Sequence, residues 1–287
     1  PNTEVVGPSV PTPMPAPTAT TATVDTFTTY TARSGDERKV DIRVWYRANG
    51  EDEVQPLIIV SHGGAGATEA QTRFVHLAEE YAAHGFVTAV LNHPVSSTTD
   101  IIAFADRPDD VTAVIDHLSG FTMPADYLGR VDTNNVGHIG HSFGAYTSHT
   151  VAGASFTHGR YRDHRVKAVV PLSPQGPDRF GSFDDTSDIK QPSTNNSWSD
   201  VLIPAYNIYG ELEKDGSTNQ VYSLDDWRGF PYARYEERQN KCVSIVPDAV
   251  HSDFGNNGSE DVKTFVAQNS RLFFDSYLRG NQVDHCQ

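Results

Sequence analysis

Residues 135–152 read NVGHIGHSFGAYTSHTVA, and this stretch decides the fold. Its first five residues predict a short buried strand, and Ala145–Ala152 predicts a helix. Between them, residues 140–144 form the pattern G-x-S-x-G, whose glycines permit a turn sharp enough to project the Ser142 hydroxyl above the strand. The sequence therefore predicts a strand, a sharp turn and a helix, with Ser142 as the candidate nucleophile.

A serine hydroxyl needs a neighbouring base, and that base needs a carboxylate to fix its tautomer. His251 is the best candidate base, because it follows the predicted strand Cys242–Val246 and precedes the final amphipathic helix. In sites built on such a turn the acid lies between the serine and the histidine along the chain. The loop Gly210–Asp215, after the strand Val201–Tyr209, supplies candidates. Counting three from its glycine favours Glu213, and Asp215 is the alternative.

Backbone donors are also needed for the oxyanion that develops during acyl transfer. We expect one to be the N–H of Phe143, directly after the candidate nucleophile, and the other to be the N–H of Gly64 in the glycine-rich loop Ser61–Gly66. The same loop lacks the Gly-Lys-Ser/Thr of a phosphate cradle. The pattern therefore disfavours a nucleotide site.

Three more histidines, His138, His141 and His149, lie beside Ser142 in the sequence. Clustered histidines are typical of metal sites. Here, however, they fall on a strand, a sharp turn and a helix, which would direct them apart. We expect no metal ion.

The pattern outward from this stretch is one of short apolar strands alternating with helices, as in α/β proteins with a mostly parallel sheet. Asp25–Arg33 and Lys39–Tyr46 predict an antiparallel hairpin at one edge. Strands alternate with helices from residue 57 onward, at 57–60, 86–91, 135–139, 166–172, 201–209 and 242–246. We expect helices on both faces of this sheet.

Residues 1–24 contain six prolines and six threonines, and they predict an extended tail or linker before a single domain at 25–287. The chain starts without an initiator Met or a signal peptide, so we expect a processed or trimmed chain that is secreted or periplasmic. Cys242 and Cys286 are its only cysteines, and we expect a disulfide between them.

The chain carries 37 acidic and 22 basic residues, for a net charge of −15. Nucleic-acid binders need a basic face, so this balance argues against nucleic acid and anionic membranes as partners. The longest apolar runs are strand-sized, so we expect no membrane span. We expect a monomer.

Several segments resemble one known family when they are taken together and in order. They are Ser61–Gly64, Asp106–Val111, Gly129–Asp132, Gly140–Gly144, Ser173–Gly176 and His251–Phe254. As a set they are similar to the bacterial dienelactone-hydrolase-like branch of the α/β-hydrolases, which is related to platelet-activating-factor acetylhydrolases and polyester hydrolases. The resemblance implies an α/β-hydrolase fold and a serine esterase without metal or cofactor.

Two departures from the family limit what the resemblance implies. The animal acetylhydrolases carry their acid at the position of Ser173, which is no carboxylate here and therefore favours the later loop. Dienelactone hydrolases proper use a cysteine nucleophile where this chain has Ser142, so a lactone substrate is not implied.

The leading hypothesis is a carboxylic ester hydrolase acting on small neutral or polymeric esters through an acyl-enzyme. The alternatives are an acyltransferase or amidase with the same residues, and a non-catalytic binding protein on a hydrolase scaffold.

Overall fold

The central feature of the computed structural model is an eight-stranded sheet with helices on both faces. The structure describes residues 20–33, 35–64, 70–94, 100–156, 159–176, 196–213, 224–237, 239–255 and 258–281. The strands are β1 (Thr21–Thr31), β2 (Glu37–Arg47), β3 (Val54–Ser61), β4 (Val87–Asn92), β5 (Arg130–His141), β6 (Ser155–Phe156), β7 (Gly159–Arg160), β8 (Val166–Leu172), β9 (Ala205–Gly210) and β10 (Lys241–Val246). The helices are α1 (Ala70–Arg73), α2 (Val75–Ala83), α3 (Asp100–Gly120), α4 (Phe143–Ala152), α5 (Leu224–Ala233) and α6 (Glu260–Arg279), with a 3-10 helix at His251–Phe254.

The strand order of the main sheet is β1-β2-β4-β3-β5-β8-β9-β10, and the short strands β6 and β7 pair separately. β2 is antiparallel to both β1 and β4, and the other neighbours in the main sheet are parallel. The α/β class, the mostly parallel sheet and the N-terminal antiparallel hairpin predicted from the sequence are therefore confirmed.

Side chains of the central strands alternate between two hydrophobic clusters, one on each face of the sheet. On β3, Leu57 and Ile59 pack in the cluster that includes α3 and α4, whereas Ile58 and Val60 pack in the cluster that includes α2 and α6. Successive residues of a strand point to opposite faces, so a strand covered on both sides must be apolar throughout. This requirement explains the continuous apolar run at residues 57–60.

The hairpin begins earlier than the sequence suggested. Residues 21–24, assigned to the tail, are the first four residues of β1, where Ala22 pairs with Tyr46 and Val24 with Val44. Threonine and valine favour extended backbone, and β2 provides a strand with which these residues pair. Residues 21–24 therefore belong to the sheet, and residues 1–19 lie outside the described part of the chain.

Two helical segments are irregular. The one between β3 and β4 is divided into α1 and α2, because Phe74 leaves the helical conformation (φ −116°, ψ 21°) and buries its ring. The other, α3, begins at Asp100 and contains Pro108. The turn around this proline is anchored by ion pairs from Asp106 and Asp110 to Arg38.

β10 forms one edge of the sheet and leaves Val243 and Ile245 exposed. The parallel strands end on the side where β5 passes into α4 and where the loops after β3, β9 and β10 emerge. Carboxyl ends of parallel strands are where ligands bind in such sheets. In the described ranges, no helix combines the length and apolarity needed to cross a membrane.

Candidate active site

Ser142 lies at the junction of β5 and α4 with φ 56° and ψ −113°. Positive φ is uncommon for a residue with a side chain. A Cβ on Gly140 would collide with the backbone of Gly144, and a Cβ on Gly144 would collide with the carbonyl of Ser61. The two glycines are therefore needed for the turn to form. The conformation of Ser142 is of the strained kind that clusters at functional sites.

His251 begins the 3-10 helix after β10, and its Nε2 lies 3.0 Å from Ser142 Oγ. Its backbone is held by His141, whose Nε2–H donates to the His251 carbonyl over 2.8 Å. The two imidazole centroids are 4.6 Å apart. The turn that carries the serine thus also supports the histidine, a role for His141 that the sequence did not suggest.

Glu213, in the loop after β9, is the carboxylate that the structure brings to His251. Its Oε2 lies 3.0 Å from His251 Nδ1 and forms an ion pair with Arg228 Nε at 2.9 Å. Its Oε1 accepts hydrogen bonds from the Ser173 hydroxyl at 2.6 Å and the Gly210 N–H at 2.8 Å. The carboxylate is therefore restrained at both oxygens.

The protonation state of Glu213 follows from these neighbours. Burial acts to raise its pKa, but the hydrogen bond from His251, the charge of Arg228 and the bonds from Gly210 and Ser173 together lower that pKa below its ordinary value. An ionised carboxylate can only accept, so His251 carries its proton on Nδ1 when it bonds Glu213. Its Nε2 is then free of a proton and can accept the one on Ser142.

Ser173 explains how the acid can come from a later loop. The side chain is fully buried at the end of β8, with φ 51°, and its N–H donates to the Ile208 carbonyl. Its hydroxyl bonds Glu213, so the carboxylate from the β9 loop reaches the end of β8. The serine at this position thus contacts the acid instead of supplying it.

Arg228 on α5 was not singled out from the sequence. Its side chain is 3% exposed, and Nη1 donates to the carbonyls of Ser173 and Pro174 at 2.8 and 3.0 Å. Its Nη2 lies 3.1 Å from His251 Nδ1. No sequence motif marks this arginine, and its position beside Glu213 and His251 is seen only in the folded structure.

The loop after β3 approaches Ser142 from the other side. A Cβ on Gly63 would lie 3.2 Å from Ser142 Cβ, whereas one on Gly64 would meet nothing within 4 Å. Phe143, the other predicted oxyanion donor, is the first residue of α4. Gly63 is thus the glycine that permits close approach to the serine, and the assignment of the Gly64 N–H as a donor stays a prediction.

Arg107 fixes the position of this loop. Its Nη1 donates to the His62 carbonyl at 2.6 Å and its Nη2 to the Gly63 carbonyl at 2.8 Å. The guanidinium also lies 3.9 Å from the Phe143 ring centroid. Arg107 therefore connects the glycine loop to the start of α4. Sequence reasoning placed Arg107 in the segment Asp106–Val111 and assigned it no role.

Two predicted residues fall outside the described ranges. Asp215, the alternative acid, is one, so its position relative to His251 is not compared with that of Glu213. Cys286 is the other. Its proposed partner Cys242 is buried near the start of β10, and the disulfide stays a prediction.

The remaining histidines near Ser142 point into separate contacts, as the sequence suggested. His138 Nδ1 lies 2.8 Å from Ser148 Oγ, and His149 Nε2 lies 2.9 Å from Tyr235 OH. Across the described part of the chain, no group of three or more His, Cys, Asp or Glu side chains is arranged to hold a metal ion.

Several aromatic residues that follow Ser142 in the sequence are divided between the core and the site loops. Trp198 is buried in the core, and its indole N–H donates to His149. Trp227 instead packs against Gly176, which closely follows the two residues, Ser173 and Pro174, whose carbonyls bond Arg228. Tyr209 lies on β9 and Tyr232 on α5. A fifth, Tyr222, is outside the described residues.

A second serine–histidine–carboxylate chain lies in the interior. His93 Nε2 is 2.8 Å from Ser61 Oγ, and His93 Nδ1 is 2.8 Å from Asp110 Oδ2. Arg38 donates to both oxygens of Asp110, at 2.8 and 2.7 Å. The same serine hydroxyl also lies 3.0 Å from His138 Nε2. This chain runs beneath the turn that carries Ser142.

Comparison with known proteins adds no family assignment. No protein-family model matches the chain. No curated protein matches it either.

Proposed function

We propose that the protein is a serine carboxylic ester hydrolase that acts through an acyl-enzyme on Ser142. The observation that carries the proposal is the hydrogen-bond chain from Ser142 Oγ to His251 Nε2, at 3.0 Å, and from His251 Nδ1 to Glu213, at 3.0 Å. A nucleophile, a base and an orienting carboxylate in this geometry are the requirements for acyl transfer. The strained turn at Ser142 and the close glycine loop add to the same interpretation.

The α/β-hydrolase fold is part of this proposal. Three features support it: the mostly parallel sheet with β2 antiparallel, the serine directly after β5, and the order serine, acid, histidine along the chain. We place the protein in the dienelactone-hydrolase-like branch on the segments quoted from its sequence.

The chemistry follows from the roles of the three residues. Ser142 Oγ attacks the ester carbonyl carbon while His251 Nε2 takes the hydroxyl proton. The resulting oxyanion accepts hydrogen bonds from the N–H groups of Phe143 and Gly64. His251 then returns the proton to the departing alcohol, and water attacks the acyl-enzyme by the same route to release the acid. Glu213 stays ionised throughout and stabilises the imidazolium.

Covalent labelling tests the proposal most directly. A fluorophosphonate probe should attach to Ser142, as identified by mass spectrometry of the labelled peptide, and ester hydrolysis should disappear in proportion to labelling. A protein that binds but does not catalyse would stay unlabelled. Transfer of the acyl group to an added alcohol in preference to water would instead favour the acyltransferase alternative.

The proposed substrates are neutral esters with short acyl chains, including polyesters. A net charge of −15 disfavours the approach of anionic esters. We expect p-nitrophenyl esters of two to four acyl carbons to be cleaved with higher kcat/KM than those of twelve or more. A maximum at long chains with activation at an oil–water interface would identify a lipase instead. Export from the cytoplasm is proposed with the Cys242–Cys286 disulfide.

A further inference from the structure

We propose that Arg228 is a positioning residue of the acid–base pair, which fixes the Glu213 carboxylate and opposes protonation of His251. The inference rests on the proposed function, because it concerns the base that would activate Ser142. It assigns a role to a side chain that lies outside the Ser142–His251–Glu213 chain itself.

The guanidinium is locked in place by its contacts. Nη1 donates to the carbonyls of Ser173 and Pro174, and Nε pairs with Glu213 Oε2 at 2.9 Å. The group also lies 4.8 Å from the ring centroid of Trp227. Because two backbone carbonyls fix Nη1, the guanidinium charge stays beside Glu213 Oε2, whereas a flexible lysine ammonium would not be fixed in this way. Arg228 therefore restrains the oxygen that orients His251.

One oxygen of Glu213, Oε2, contacts both Arg228 and His251, and His251 becomes a second cation when it gains a proton. Glu213 Oε2 lies 3.0 Å from His251 Nδ1 and 2.9 Å from Arg228 Nε. When His251 carries a proton on Nδ1, that N–H faces Arg228 Nη2 across 3.1 Å, and two donors cannot bond each other. A second proton on His251 would place a full positive charge beside the guanidinium. The carboxylate thus favours protonation of the imidazole, and Arg228 opposes it.

Other groups around His251 do not replace this effect. His141 packs against the ring, and burial together with the charge of His251 lowers the pKa of His141 to about 3, so it stays neutral. Asp253, on the same 3-10 helix, accepts a hydrogen bond from the Val250 N–H. Among these neighbours Arg228 supplies the positive charge. At a few ångströms such a charge shifts a titration by about one pH unit or more.

The test compares two substitutions at Arg228 over the pH range of ester hydrolysis. Arg228→Met removes the charge, and Arg228→Lys keeps it while losing the fork. We expect the acid-side midpoint of kcat/KM to rise by about one pH unit in the Met variant and by less than half of that in the Lys variant. The plateau value should fall about tenfold in both, because Glu213 is held less firmly. Arg234→Met, at the exposed turn directly after α5, is the control and should leave the profile unchanged.

An equal loss at every pH, with the midpoint unmoved in both variants, would show that Arg228 only supports the fold and would overturn the proposal. A midpoint that moves equally in the Lys and Met variants would exclude the charge as the cause and would overturn it as well. If the Met variant fails to fold, Arg228→Gln removes the same charge with a polar side chain and replaces it in the comparison.

The His251 ring can also be followed without turnover. Its titration by NMR, assigned with a His251→Gln variant, should show the same shift between wild type and the charge-free variant. This measurement stays decisive if the protein hydrolyses no ester. A wild type that is not labelled at Ser142 would refute the proposed function, whereas an unshifted His251 titration would refute only the role of Arg228.

Discussion

The described part of the molecule contains two chains that each join a serine, a histidine, a carboxylate and an arginine, and they differ in what surrounds them. One joins Ser142, His251, a carboxylate and an arginine, and the other joins Ser61, His93, Asp110 and Arg38. The serine–histidine distances are 3.0 and 2.8 Å. Hydrogen-bond geometry alone therefore does not separate them.

Access separates the two chains. The His251 side chain is 42% exposed and Ser142 is half-buried, whereas Ser61, His93 and Asp110 are at most 1% exposed. Ser61 also lacks the strained turn and bonds a second histidine, His138. A substrate can reach only the first serine. Ser142, the proposed nucleophile, therefore differs from Ser61 in its exposure and its strained turn, and not in the types of its hydrogen-bond partners.

Replacing each serine in turn should give the largest difference between the two chains. Ser142→Ala should lower kcat by at least about 10³-fold with little change in stability, because no acyl-enzyme can form. Ser61→Ala should keep kcat within about tenfold but lower the free energy of unfolding by about 1–3 kcal/mol, since two buried imidazoles lose a partner. Steady-state kinetics and urea unfolding measure both. More than a tenth of wild-type activity in Ser142→Ala would remove Ser142 from its role.

Replacing the two carboxylates, Glu213 and Asp110, should likewise affect activity in one case and stability in the other. Glu213→Gln should reduce kcat by about 10²–10⁴-fold while the protein stays folded, because the amide no longer selects the required tautomer of His251. Asp110→Asn should instead destabilise the fold by about 3 kcal/mol, since Arg38 loses the nearer of its two buried counter-charges and keeps only the longer ion pair with Asp106. Asp215→Asn is the matched control in the acid loop. A larger loss of kcat there than in Glu213→Gln would transfer the role of acid to Asp215.

The buried histidines give the smaller, pH-dependent effect. Burial chiefly lowers the pKa of His93 to about 4 and that of His138 to about 3. The unfolded chain binds protons at these groups below about pH 6.5 and the folded chain does not, so stability falls as pH drops from about 6.5 towards those values.

Each such histidine contributes a slope of about 1.4 kcal/mol per pH unit in the middle of that window. Urea unfolding between pH 7 and 4.5 should therefore show a steep loss of stability, and Ser142→Ala should follow the same curve. His93→Gln should reduce the slope of stability against pH by the contribution of one proton, about 1.4 kcal/mol per pH unit. A stability that is constant from pH 6.5 to 5 would mean that the interior histidines are charged in the folded protein.

The sequence predicted the parts of the site that are local. The turn at residues 140–144 is contiguous, and its glycines, serine and flanking elements can be recognised together. His251 and Glu213 required an assumption about the order of residues along the chain, and for that reason the acid kept an alternative.

The arginines and the interior chain could not be predicted, because their partners are far apart in sequence. Ser61 and His138 are 77 residues apart, and Ser61 and His93 are 32 apart. One signal was present: a histidine in an otherwise apolar strand, as at His138, must find a partner when it is buried. That signal indicates that a partner exists and does not identify it.

The interior chain has only one consistent direction. Ionised Asp110 requires the proton of His93 on Nδ1, so Ser61 donates to His93 and in turn accepts from His138 Nε2. The Ser148 hydroxyl then donates to His138 Nδ1 at 2.8 Å in preference to the Gly144 carbonyl, which lies farther away at 3.2 Å. These groups come from five parts of the fold, namely β3, the residue after β4, α3, β5 and α4. If any one of these elements opens, a buried polar group in the others loses its hydrogen-bond partner. The amide protons of this central block should therefore exchange with solvent at one common free energy, as a single cooperative unit that outlasts the edge strand β10.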